Sequence, residues 1–151
     1  MSLAAPKSIK PKDWQSRGNP HNLLGHSIFV VDEGPANAPV ILLLHGFPTS
    51  SWDWNLIWES LKKDHRLIAL DMLGFGFSDK PNRRDYSIHQ QADIVEALVK
   101  KYQLKEFHVL AHDYGDTVAQ ELLSRQIEEN GAGYWLSCCF LNGGLFPETH
   151  R

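Results

Sequence analysis

The sequence predicts an α/β fold with a mostly parallel sheet, and two observations lead to this prediction. Short unbroken apolar runs, such as VILLL at 40–44, are typical of strands that are covered on both faces. These runs alternate with segments in which apolar residues recur at helical spacing, and the connections are short. Alternation of this kind builds parallel sheets with right-handed crossovers, so a ligand site is expected at the carboxyl ends of the strands.

The first half of the chain is predicted to form three strands and one helix. Residues 27–32 (SIFVVD) are β-branched and aromatic, and a Gly-Pro pair ends their strand. Residues 40–44 form the second strand, which leads into a His-Gly pair. In residues 49–63 apolar side chains recur at helical spacing after serines that can cap a helix. Residues 66–70 (RLIAL) form the third strand.

The second half continues the alternation after a loop at 71–81. Residues 87–103 form the clearest helix, because they carry an apolar stripe and begin with a possible capping box, Ser-x-x-Gln. Residues 107–111 form a strand, residues 116–129 a helix, and residues 135–141 the last strand. No repeat, low-complexity tract or linker interrupts this order.

Composition and charge argue against a nucleic-acid or membrane partner. The chain is 42% hydrophobic and 22% charged, with a net charge of −3 and scattered basic residues. Its longest purely aliphatic run, 40–44, is far too short to span a bilayer. Cys138 and Cys139 are adjacent in an apolar run, so we expect buried free thiols in a cytoplasmic protein. No metal-ligand spacing is present, and no cofactor is expected.

Residues 110–117 (LAHDYGDT) place a carboxylate, Asp113, at the tip of a strand-to-helix turn. A turn sharp enough to push this side chain outward requires small residues two places to either side, and Ala111 and Gly115 meet the requirement. The alternative is an ordinary capped helix start. Because His45-Gly46 and Asp71 also lie at predicted strand ends, the topology predicts one site that they share with Asp113.

Three motifs in this order resemble the α/β-hydrolase superfamily: HGFP at 45–48, DMLGFGFSDKP at 71–81, and the turn at Asp113. The resemblance implies the α/β-hydrolase fold, a mostly parallel sheet with flanking helices. It also implies that Asp113 is the nucleophile and that the backbone N–H groups of Phe47 and Tyr114 form an oxyanion hole. Residues expected to support the loops or the substrate pocket are His45, Gly46, Pro48, His112 and Trp52.

An aspartate where most members carry serine makes the chain similar to the epoxide hydrolase and haloalkane dehalogenase branches. The carboxylate of these enzymes attacks carbon, and a histidine-activated water then hydrolyses the ester. Dehalogenases hold the departing halide with side-chain N–H donors, at positions that match Tyr114 and Phe47 here. The resemblance therefore favours epoxide hydrolase chemistry on a small molecule, with dehalogenase chemistry as the alternative.

A closer resemblance lies in HDYGD at 112–116 and NGGLFPETHR at 142–151, which are similar to the mesoderm-specific transcript branch of the superfamily. Asp116 stands where a glycine usually follows the turn. We expect its carboxylate to complement the helix N-terminus, and the alternative is that it raises the pKa of the nucleophile. This departure also keeps open a third interpretation, a binding protein or fragment without catalytic activity.

The chain is expected to be the amino-terminal half of such a hydrolase. In this fold the catalytic acid and histidine follow the nucleophile. After Asp113 the only histidine is His150, and Asn142, where some dehalogenases place their acid, carries an amide. The lid and the C-terminal strands are therefore expected to be absent. We divide the chain into an N-terminal extension, residues 1–25, and the amino-terminal part of the core domain, residues 26–151.

Overall fold

A computed structural model describes residues 5–82 and 86–144, so that residues 145–151 of the predicted motif at 142–151, including His150, lie outside the described ranges. The strands are β1 Gly18–Leu23, β2 His26–Glu33, β3 Val40–Leu44, β4 Arg66–Leu70, β5 Glu106–His112 and β6 Tyr134–Leu141. The helices are α1 Pro11–Gln15, α2 Asn55–Leu61, α3 Ile88–Lys101 and α4 Tyr114–Ile127, and a 3-10 turn, Ser51–Trp54, precedes α2.

The six strands form one sheet in the order β1-β2-β4-β3-β5-β6. Strands β4, β3, β5 and β6 run parallel, whereas β2 is antiparallel to both of its neighbours. Helices cover the sheet, so the predicted α/β-hydrolase fold with a mostly parallel sheet is confirmed. In residues 5–82 and 86–144, no helix is long and apolar enough to cross a membrane.

Two apolar clusters form the core on the two faces of the sheet. The larger joins α3 and α4 to the strands and includes Leu42, Val95 and Val118. The smaller includes Leu43 and Trp58. Adjacent residues of β3 enter different clusters because successive side chains of a strand point to opposite faces. Each apolar side chain that is fully buried contributes about 1.5–3 kcal/mol, which explains why both faces of β3 are aliphatic.

The segment before residue 26 contributes α1 and β1, neither of which was predicted from the sequence. Strand β1 pairs antiparallel with β2, from Gly18 opposite Val31 to Leu23 opposite His26. Trp14 of α1 is fully buried, and its indole N–H donates to Ser51 Oγ at 3.0 Å. These contacts attach the segment to the sheet. The division at residue 26 stays a proposal about domain boundaries.

The first two predicted helices are shorter than their apolar patterns suggested, whereas α4 has the predicted length and begins two residues earlier, at Tyr114. The segment 49–63 begins as a 3-10 turn and its α-helix ends at Leu61, with Ile57 39% exposed rather than in the core. Ser50 caps this segment by accepting from Trp52 N–H at 3.3 Å. Ser87 caps α3 by accepting from Gln90 N–H at 3.1 Å, as predicted.

The last strand is more exposed than its apolar sequence predicts. Among the described residues β6 pairs with β5 alone, and Tyr134, Leu136 and Leu141 are exposed. Cys138 is half-buried and Cys139 is exposed, and both are free thiols. The expectation that both cysteines are buried is therefore wrong for Cys139, because the outer strand of a sheet lacks a neighbour on one side.

Candidate active site

Asp113 lies between β5 and α4 in a backbone conformation that side chains rarely adopt, with φ 52° and ψ −113°. Its N–H donates to Leu141 O at 3.0 Å. Gly115 packs so closely that an added Cβ would lie 2.3 Å from Leu44 O, and Ala111 is fully buried. A backbone oxygen cannot move aside as a flexible side chain can, so the turn requires a glycine at 115, where the sequence predicted a small residue.

The HGFP loop lies directly against this turn. The backbone N–H of Phe47 donates to Asp113 Oδ1 at 2.8 Å. A Cβ added to Gly46 would lie 2.8 Å from both Asp113 Cβ and His112 Nδ1. The peptide bond between Phe47 and Pro48 is cis. The structure thus brings together two motifs that the sequence predicted to share a site.

Three aromatic side chains lie against one another beside the turn at Asp113. The ring of Phe75 lies 5.6 Å from that of Tyr114 and 6.1 Å from that of Phe47, centroid to centroid. Tyr114 is the first residue of α4, and burial raises the pKa of its phenol while a hydrogen bond from Gln91 opposes this. Phe75 was not among the site residues predicted from the sequence. Its position in the motif at 71–81 was the available signal.

His45 supports the HGFP loop from beneath. The side chain is fully buried, its Nδ1 donates to Gly46 O at 2.8 Å, and its Nε2 accepts from Met72 N–H at 2.9 Å. Burial lowers the pKa of the imidazole. Since both ring nitrogens are engaged in the neutral form, His45 is suited to hold backbone in place rather than to transfer protons.

Asp71 directly follows β4, as predicted. Its carboxylate accepts hydrogen bonds from nearby backbone N–H groups and has none with Asp113 among the described residues. Its carboxylate accepts from Ser51 N–H at 2.8 Å and from Phe77 N–H at 2.7 Å. Its carbonyl accepts from Ser78 Oγ at 2.5 Å. These bonds join the loop at 71–81 to the start of the 3-10 turn. Asp71 therefore orders the loop that carries Phe75.

His112 and Trp52 line a cavity of about 480 Å³ beside the 3-10 turn and the end of β6. The His112 ring lies edge-on to Trp54 at 6.4 Å. The indole N–H of Trp52 donates to Ile9 O at 2.9 Å, so this donor is used within the fold. Asp113 does not line this cavity. Trp52 and His112 therefore form walls of a pocket that lies next to the turn and that Asp113 does not line.

Asp116 is fully buried in the first turn of α4. Its Oδ1 accepts from Leu141 N–H at 3.4 Å. Burial is the largest cause of its raised pKa, the charge of Asp113 adds to it, and His112 opposes it. Burial and the Asp116 charge also raise the pKa of the Cys138 thiol to about 12. Within the described ranges, no three His, Cys, Asp or Glu side chains are grouped to hold a metal.

Known proteins with similar sequences and structures share this fold. The family model for the alpha/beta hydrolase fold matches residues 39–138. The mesoderm-specific transcript homolog protein of Bos taurus is 51% identical over 97% of this chain, which spans 46% of that relative's length. Epoxide hydrolase 2 of Caenorhabditis elegans is 36% identical over 58% of this chain, and the match covers 25% of that relative's length.

A solved structure shares the same architecture. Haloalkane dehalogenase DbeA from Bradyrhizobium elkani superposes with a TM-score of 0.74 at 28% identity, over 83% of this chain and 41% of that chain. Both the sequence matches and this structural match cover less than half of the longer proteins. The chain spans a quarter to about half of the length of the curated relatives it matches, and it belongs to the α/β-hydrolase fold family.

Proposed function

We propose that this chain carries the nucleophile of a hydrolase, and that the nucleophile is Asp113. The observation that supports the proposal is the 2.8 Å hydrogen bond from the Phe47 N–H to Asp113 Oδ1. It leaves Oδ2 as the oxygen that attacks an electrophilic carbon. A carboxylate is anionic at neutral pH, so this first step requires no general base.

With an epoxide, Oδ2 forms a new C–O bond as the ring C–O bond breaks, and the released alkoxide takes up a proton. The product is an ester of Asp113. In the second step water adds to the carbonyl carbon of the ester, which is Cγ of Asp113, and negative charge develops on Oδ1. The N–H groups of Phe47 and Tyr114 are proposed to stabilise this charge. Hydrolysis then releases a diol and restores the carboxylate.

The second step requires a base that activates water. Among the described histidines near the turn, His45 has both nitrogens engaged, and His112 lies on a cavity that Asp113 does not line. We therefore assign the acid and the histidine to sequence beyond these residues in the complete protein. Epoxide-like substrates are favoured over haloalkanes, since neither Phe47 nor Tyr114 has a side-chain N–H to hold a halide.

A dehalogenase is the second candidate, supported by the structural match to a haloalkane dehalogenase. A binding protein without turnover is the third, supported by the buried charge of Asp116 so close to the nucleophile. The proposal also includes a small-molecule substrate. It further includes a cytoplasmic location, which is inferred from the free cysteines.

The test uses styrene oxide and 1-bromobutane as paired electrophiles. Each is incubated with the 151-residue chain, and the Asp113 peptide is analysed by mass spectrometry. We expect one persistent adduct from the epoxide and much less from the bromoalkane. Asp113→Asn is the matched control, because it keeps the shape and removes the anion. Equal labelling of the wild type and Asp113→Asn would exclude Asp113 as the nucleophile, and preferential labelling by the bromoalkane would favour the dehalogenase.

A further inference from the structure

Asp116 and Asp113 are linked by two routes. Directly, the backbone N–H of Asp116 donates to Asp113 O at 3.0 Å. Indirectly, Leu141 joins them: its N–H donates to Asp116 Oδ1 at 3.4 Å, and its carbonyl accepts from Asp113 N–H at 3.0 Å. The buried carboxylate therefore shares a residue of β6 with the strained turn of Asp113.

The second carboxylate oxygen of Asp116 faces the loop that follows β6. A Cβ added to Gly143 would lie 2.0 Å from Asp116 Oδ2, so the chain passes this oxygen at a distance that only glycine allows. Among the described residues Oδ2 is buried without a hydrogen-bond partner, and burial is the largest cause of the raised pKa of Asp116. Asp116 thus contacts the last residue of β6 and the loop after it.

Burial of a carboxylate opposes folding unless its oxygens accept hydrogen bonds. The charged groups near Asp116 act in opposite directions: His112 favours its ionised form, whereas the carboxylate of Asp113 disfavours it. An apolar side chain would fill the same space without this desolvation. What an apolar side chain cannot supply is an acceptor for the N–H at the end of β6.

We propose that Asp116 is a positioning residue that holds Asp113 in place through Leu141. Its acceptor oxygen fixes the end of β6, Leu141 O then fixes the Asp113 N–H, and Oδ1 of Asp113 stays on the Phe47 N–H. The catalytic consequence rests on the proposed function of Asp113, whereas the positioning itself concerns the fold.

The test compares Asp116→Ala, which removes the acceptor, with Asp116→Asn, which keeps an oxygen in the same place. Glu128→Ala is the control, because it removes an exposed carboxylate at the other end of α4. Amide hydrogen exchange by NMR reports on the N–H groups of Phe47, Asp113 and Leu141, and labelling by styrene oxide reports on reactivity.

In Asp116→Ala we expect the three amides to exchange about tenfold faster and Asp113 to be labelled about tenfold more slowly. Asp116→Asn is expected to stay within about threefold of the wild type for both measurements, since its oxygen still accepts from Leu141. Unchanged exchange and labelling in Asp116→Ala would overturn the proposal. Equal losses in Asp116→Asn and Asp116→Ala would also overturn it.

Gly143→Ala provides a second route if Asp116→Ala does not fold. It leaves Asp116 in place and pushes a methyl group onto Oδ2, so Leu141 and Asp113 are expected to exchange faster. Protection equal to the wild type in this variant would contradict the proposal. Absence of any epoxide label on wild-type Asp113, together with the expected exchange pattern, would refute the proposed function and leave the positioning role supported.

Discussion

The backbone N–H of Phe47 lies 2.8 Å from Oδ1 of Asp113, across a separation of 66 residues. Phe47 follows β3 and Asp113 follows β5, and these strands are hydrogen-bonded neighbours in the sheet. Parallel pairing brings their carboxyl ends to the same edge, so the distance follows from the topology. One donor is thereby aimed at one oxygen of the carboxylate, which makes the two oxygens of Asp113 inequivalent.

The backbone conformation of Asp113 predicts a difference between two substitutions. Asp113→Gly and Asp113→Ala both remove the carboxylate, but only glycine adopts φ 52° and ψ −113° without strain. We expect the free energy of unfolding of Asp113→Gly to exceed that of Asp113→Ala by about 1–3 kcal/mol in urea titrations. Equal stabilities would mean that the turn relaxes and carries no strain. Neither variant should form an epoxide adduct at position 113.

The close packing of Gly46 predicts that Gly46→Ala separates Phe47 from Asp113. The new Cβ would meet Asp113 Cβ and His112 Nδ1 at 2.8 Å, so one of these groups must move. We expect a loss of about 1–3 kcal/mol in stability and slower labelling of Asp113. Gly25→Ala is the control, because an added Cβ there meets nothing within 4 Å although φ is +83°. Labelling of Gly46→Ala at the rate of Gly25→Ala would contradict the argument.

Burial of His45 predicts that stability falls as the pH is lowered. Its pKa is depressed in the folded chain, whereas in the unfolded chain it protonates near about 6.5. Below that pH the unfolded state binds a proton that the folded state does not, which favours unfolding. At and above neutral pH this effect is absent.

Urea unfolding at a series of pH values measures the effect of His45. Between the pKa of His45 in the unfolded chain and its lower pKa in the folded chain, this residue contributes a slope that approaches about 1.4 kcal/mol per pH unit to the free energy of unfolding. We expect His45→Gln to lack this part of the slope, and His89→Gln, at an exposed side chain, to keep it. If the wild type and His45→Gln show the same slope, the pKa of His45 is the same in the folded and unfolded chain, and the prediction is wrong.

The outer edge of β6 predicts self-association of the isolated chain. This eight-residue strand contains no charged side chain or proline, and Leu136 is 45% exposed. In the described part of the chain β6 pairs with β5 on one side only, and a free strand edge of this kind templates pairing with other chains. Sedimentation velocity should show a mass that rises with concentration, and Leu136→Lys should restore the monomer. Ile127→Lys, at an exposed residue of α4, is the control. A wild-type chain that stays monomeric at high concentration would refute this prediction.

The apolar pattern was sufficient for most of the fold. Strands β3 and β4 have the bounds that their aliphatic runs predicted, because both faces of a covered strand must be apolar. Ser87 begins α3 as predicted, because capping is a local interaction between residues close in sequence. Strand β1, GNPHNL, was missed because it has no such pattern and forms only by pairing with β2.

The sequence by itself determined the order of the elements after residue 26, the strand-end positions of His45, Asp71 and Asp113, and the need for small residues beside the turn. Only the tertiary structure decided what each of these groups contacts. It directs Asp71 and His45 to backbone partners, aims the Phe47 N–H at Asp113, and buries Asp116 against β6. The physical reason is that propensities and caps act between neighbours in the chain, whereas these contacts join residues that only the parallel sheet brings together.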